Sequence, residues 1–113
     1  MRVYGLKKCS TCQKALDFLD AKKVKVEFFD HRQLPPTEKQ IASWSKAVGG
    51  WEKLINRAGY TWRGLPASET ADLTEATAVA LAATHTSLIR RPLIEHDDGS
   101  VTVGFSDKVK ALF

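Results

Sequence analysis

The chain has 113 residues, 43% apolar and 27% charged, with a formal net charge of +4. That length and mix are expected of one soluble domain with a single core, and no apolar run approaches the length of a membrane-spanning helix. The mild positive charge favours anionic partners, but the lysines and arginines are dispersed, which reads as a solvated surface rather than a nucleic-acid or membrane-binding face.

The first element is a short apolar run, Val3 to Leu6, expected as a strand. Since Met1-Arg2-Val3-Tyr4 runs directly into it, no signal peptide is expected, and the expected location is cytoplasmic. A turn with Lys7 and Lys8 follows, then Cys9 and Cys12, the only two cysteines. Beyond them Cys12, Ala15, Leu16 and Leu19 fall at i, i+3, i+4 and i+7, the period of an amphipathic helix. Cys9 is thereby expected at the helix N-terminus, where unpaired N–H groups and the positive end of the dipole stabilise an anion. Lys7 and Lys8 add positive charge. A free thiol ionises near pH 8.5, and such surroundings lower that to roughly 3.5–7.5. Cys9 is therefore the expected nucleophile, with Cys12 one turn away to close a small disulfide after it has reacted.

Three plainer readings compete. Two inert buried cysteines are the default for an arbitrary pair, but strand–Cys-x-x-Cys–helix placement argues against them. A structural disulfide over so short a loop constrains the unfolded chain little. Zinc needs four ligands, and His31, His85 and His96 are scattered without ligand spacing, so no metal is expected.

Val24 to Phe29 alternates and then turns fully apolar, as a half-buried strand does, completing a βαβ unit. Asp30-His31-Arg32 leads into Leu34-Pro35-Pro36, which breaks regular structure. Thr37 and Gln40 form a capping-box pair before a helix whose apolar stripe is Ile41, Trp44, Ala47 and Val48, stopped by Gly49-Gly50. A short helix from Trp51 to about Asn56 and an irregular stretch are expected to bury Trp51, Tyr60 and Trp62. Arg57 and Arg63, cations in apolar surroundings, read as surface side chains or anion ligands. Asp72 or Thr74 caps an Ala-rich helix over Ala76 to Ala83. Leu88 to Glu95 and Val101 to Phe105, joined through Asp98-Gly99, read as a β-hairpin whose first strand Pro92 opens. Ser106-Asp107 caps a last helix.

The order βαβ, then ββα, with a cysteine motif after the first strand, predicts an α/β thioredoxin-like fold with a four-stranded mixed sheet. It is read as a single domain, 1–113, with a helical insertion at about 36–86. In that layout Arg91-Pro92 is expected at a strand entrance facing Cys9.

Cys9-Ser10-Thr11-Cys12-Gln13-Lys14-Ala15, the block Asn56 to Arg63, Ile89-Arg90-Arg91-Pro92-Leu93 and Val103-Gly104-Phe105 together resemble the arsenate reductase-related (ArsC/Spx/YffB) family over essentially the whole length. Thr61-Trp62-Arg63 and the chain length look most like the YffB branch. The resemblance implies a thioredoxin-like fold with a helical insert and a cis Pro92. In the family's arsenate reductases the cysteine matching Cys9 attacks arsenate, with glutathione and glutaredoxin restoring it. Arg91 and Arg57 match two of the three arginines that hold the oxyanion there, and Phe105 occupies the position of the third. An apolar ring cannot neutralise an oxyanion. In the Spx branch cysteines matching Cys9 and Cys12 form a redox switch on a protein that binds RNA polymerase, and those chains carry a longer C-terminal segment. The YffB branch implies a glutathione-dependent thiol–disulfide reductase with no bound cofactor. Cys9 would be its nucleophile, Cys12 or glutathione the resolving group, and Lys8, Arg57, Arg91 and Pro92 the substrate contacts.

Overall fold

The computed structural model describes residues 1–113. Strands β1 (Arg2–Gly5), β2 (Glu27–Asp30), β3 (Leu93–Glu95) and β4 (Val101–Val103) form one sheet in the order β2-β1-β3-β4. β1 pairs in parallel with β2, Val3 opposite Phe28 and Gly5 opposite Asp30. The β1–β3 and β3–β4 pairs are antiparallel. With α1 (Ser10–Ala21) between β1 and β2, this is the expected α/β, thioredoxin-like order of a mixed four-stranded sheet. Its first strand is central because Val3, Tyr4 and Gly5 are all buried.

The chain divides into two compact units, 1–34 with 91–113 and 35–90. In the first, Val3, Leu19, Ile94 and Val109 form a buried cluster against which Phe18, Phe28, Phe105 and Phe113 pack. Phe18 meets the Phe105 ring edge-on at 5.4 Å. Of the four positions its period selects, α1 buries Cys12, Ala15 and Leu19 and half-buries Leu16 against the cluster. β2 starts later than the sequence suggests. Lys23, just past the Lys22 C-cap of α1, takes a left-handed conformation, φ 59°, and the pairing with β1 begins only at Glu27. Val24 and Val26 are half-buried against the cluster without belonging to the strand.

The second unit holds α2 (Glu38–Val48), α3 (Trp51–Leu54), α4 (Tyr60–Gly64), α5 (Ala67–Thr70) and α6 (Glu75–Thr84). Thr37 and Gln40 close the capping box of α2, and Thr74, not Asp72, caps α6. Three expectations fail here. The buried face of α2 takes in Ser45 rather than Ala47, because the Ser45 hydroxyl donates to the Glu75 carboxylate, which also accepts from the Trp51 N–H. A hydroxyl so paired can be buried, and periodicity of apolar residues does not register it. Tyr60 is 89% exposed rather than buried, with the Arg63 guanidinium 4.9 Å from its ring centre. The stretch around it is not irregular either: α4 and α5 are too short to show a period.

Candidate functional site

Parallel pairing brings the carboxyl ends of β1 and β2 to the same edge of the sheet, where ligands of open α/β sheets bind. At the end of β1 the chain turns through Leu6, Lys7 and Lys8, closed by the Cys9 N–H donating to the Leu6 carbonyl at 3.1 Å. At the end of β2, Asp30 clamps that turn: one carboxylate oxygen accepts from the Lys7 N–H at 3.0 Å, the other from the Arg32 N–H at 2.7 Å. Those two N–H groups hold the Asp30 carboxyl below the usual carboxylate range. The His31 N–H donates to the Gly5 carbonyl at 2.8 Å, continuing the ladder past the strand.

Cys9 is the N-cap of α1, in extended conformation, with its carbonyl accepting the first helical bond from Gln13 at 3.0 Å. Its half-buried sulfur faces an open pocket of about 580 Å³ lined by the Leu6–Ser10 turn, by Asp30, Arg32 and Gln33, and by Arg91. Burial would push the Cys9 thiol up. The Cys12 N–H, the Cys12 thiol, the Arg91 guanidinium and the Thr11 N–H outweigh that and hold it below the ordinary thiol value. The site therefore stabilises a thiolate at a helix start.

Cys12 lies one turn on and is wholly buried. Burial, and then the thiolate beside it, push its thiol up to about 11, against the Leu6 N–H, which acts the other way. Its sulfur rests on the backbone of Gly5, where a Cβ would lie 2.5 Å from it. Arg91 is half-buried at the entrance of β3 and precedes a cis bond to Pro92, as the resemblance implies. Pro92 is buried, and its carbonyl accepts from the Gly104 N–H at 2.9 Å.

The structure thus gathers Lys8, Cys9 and Arg91 around one pocket, with Cys12 buried one turn beyond Cys9 and Pro92 next to Arg91. Arg57 belongs to the second unit, where its guanidinium lies 5.6 Å from the Trp51 ring centre. Nothing local in the sequence marks Asp30, Arg32 and Gln33 as pocket residues. The usable signal was register: a strand parallel to β1 must end beside the residues that follow β1. His31 has no feature in the sequence beyond its place among three scattered histidines. It is 2% exposed, its ring stacked 6.3 Å from that of Tyr4. No cluster of potential metal ligands exists.

The model of the ArsC family matches residues 4–112. The chain belongs to the ArsC family. Among ArsC-related solved structures, the YffB protein is 35% identical with a TM-score of 0.90, covering 98% of this chain and 96% of that one. An arsenate reductase (ArsC) related protein from Brucella melitensis is 31% identical with a TM-score of 0.78, covering 99% and 92%. An uncharacterized protein of Haemophilus influenzae is 32% identical over 94% of this chain and 91% of its own length. An arsenate reductase from Vibrio cholerae, 17% identical with a TM-score of 0.73, shares the fold.

Proposed function

We propose that this ArsC-family protein is a cytoplasmic, glutathione-dependent thiol–disulfide reductase. The observation that carries the reading is the half-exposed Cys9 sulfur at the start of α1, open to the pocket and surrounded by groups that favour its thiolate. The Cys9 thiolate attacks the glutathione sulfur of a mixed disulfide, forming a Cys9–glutathione disulfide and releasing the other half as a thiolate. A second glutathione, or Cys12, then attacks that disulfide and frees one sulfur, so that one disulfide is consumed and one is formed. Arg91 and Lys8, both lining the pocket, supply charge for the glutathione carboxylates. Pro92, tied to Gly104 through its carbonyl, fixes the chain that presents Arg91.

Arsenate reduction draws less support from the site. Phe105 is engaged with the Phe18 ring and the hydrophobic cluster and offers no charge to an oxyanion. The Spx-type reading, a switch that governs binding to RNA polymerase, rests on the Cys9–Cys12 pair and on Arg90-Arg91-Pro92.

The test is reduction of a glutathionylated peptide in the presence of glutathione and glutathione reductase. Wild type should turn over and Cys9→Ser should not. Equal rates for the two proteins, or no turnover by wild type while arsenate is reduced in the presence of glutaredoxin, would overturn the reading.

A further inference from the structure

The site favours a thiolate, yet it also contains a carboxylate, and like charges oppose each other's ionisation. Asp30 lines the same pocket as Cys9, with Lys7, Lys8, Arg32 and Arg91 as the other charged groups and the buried His31 next in sequence. Both of its oxygens are engaged by backbone. One accepts from the Lys7 N–H at 3.0 Å and the other from the Arg32 N–H at 2.7 Å. The bond to Arg32 is local and orients the carboxylate. The bond to Lys7 reaches back 23 residues, into the turn that precedes Cys9.

We propose that Asp30 is a positioning residue for the nucleophile: by accepting the Lys7 N–H, its carboxylate fixes the turn that sets the Cys9 sulfur at the start of α1. What this contributes to catalysis rests on the reductase reading; the geometry does not, and its tests read Cys9 without turnover.

Asp30 is itself firmly placed. It stands opposite Gly5 in the parallel register, its carbonyl accepts from the Gln33 and Leu34 N–H groups at 3.1 and 2.9 Å, and the His31 N–H donates to the Gly5 carbonyl at 2.8 Å. The segment it holds is short, since β1 ends at Gly5 and α1 begins at Ser10. Within it the Cys9 N–H donates to the Leu6 carbonyl, which makes Lys7 the second residue of a four-residue turn. A bond at Lys7 therefore sets where the turn leaves the sheet and where Cys9 meets the helix. The benefit of a helix start to an anion falls off within the first turn, so a small displacement of the sulfur loses part of it. The carboxylate opposes the thiolate through its charge and favours it through position, and position is the larger effect.

Because the two effects have opposite signs, the direction of a shift separates them. Asp30→Asn keeps the shape and removes the charge, and its NH2 must face one of the two amide donors. Charge loss alone would lower the pH midpoint of Cys9 alkylation by iodoacetamide. Loss of position should raise it, by about 0.5–1 pH unit, roughly three- to tenfold less thiolate below the midpoint. A lowered or unchanged midpoint would overturn the proposal. A second pair of variants leaves the carboxylate intact. Lys7→Pro and Lys7→Ala both remove the lysine charge, but only proline removes the N–H, and proline suits the second position of such a turn. Lys7→Pro should show the higher midpoint of the two; equal midpoints would refute the role of this hydrogen bond. Amide hydrogen exchange supplies a check on the turn itself. In Asp30→Asn the Lys7 amide should exchange about tenfold faster than in wild type, while the Val3 and Ile94 amides of the sheet keep their rates. An unchanged Lys7 rate, or an equal acceleration at all three amides, would sink the assignment.

Discussion

Lowering the pH should destabilise this protein through His31. The imidazole is almost fully buried behind the site, its ring against Tyr4. Burial, reinforced by the Arg91 guanidinium and opposed by Asp30, lowers it from an ordinary 6.5 to about 4. The unfolded chain therefore takes up a proton near pH 6.5, while the folded chain resists until about pH 4. The stability that neutral His31 allows is fully present above pH 6.5 and is lost as the pH falls from there to about 4. At about 1.4 kcal/mol per pH unit the interval amounts to about 3 kcal/mol, a large share of the 5–15 kcal/mol typical of a domain. Urea unfolding of the reduced protein at steps between pH 7 and pH 4 measures it, provided His31→Gln is run beside wild type. The variant loses stability at pH 7, but its pH dependence should be shallower by about 2–3 kcal/mol over that interval. The comparison removes the contribution of His96, whose imidazole burial also lowers. Parallel curves for the two proteins, or a His31 ring resonance that titrates near pH 6.5, would refute the reasoning.

Gly5→Ala should destabilise by about 1–3 kcal/mol in urea unfolding, because the new methyl would stand 2.5 Å from the Cys12 sulfur. The same change in a Cys12→Ala background should cost much less, since the sulfur it strikes is gone. Arg91→Gln should raise the midpoint of Cys9 alkylation by about one pH unit, the guanidinium being one of the groups that hold the thiolate. Thr37→Ala should cost about 1 kcal/mol, as it opens both halves of the capping box at the start of α2. Thermal or urea unfolding measures that loss.

What could be read from sequence was whatever has a period or a local cap. The Cys12, Ala15, Leu19 face of α1 and the Thr37–Gln40 box both follow from residues within a few positions of each other. Position Cys9 before the helix followed from the same stripe. The rest of the pocket did not, because it is assembled by pairing across the sheet. Asp30 touches the Lys7 amide only because Gly5 and Asp30 lie opposite in the β1–β2 register. Composition gives Asp30 no feature that marks it out. Arg91, 82 residues beyond Cys9 and one of the groups that hold its thiolate, is reached from the sequence only through the strand order that places it facing Cys9, since nothing local marks it. Buried Ser45 and exposed Tyr60 went the other way, since each is settled by one neighbour, Glu75 or Arg63, outside any periodic pattern.

The two-handed grip of Asp30 has a mechanical consequence. One carboxylate ties the loop that carries the nucleophile to the loop that carries Arg32, so neither wall of the pocket can swing away alone. A bulky guest has to be admitted by the pocket as it stands, or else break the hydrogen bond from the Lys7 N–H to Asp30, the one of the two that spans the walls, so the width of that entrance bears on which visitors reach Cys9.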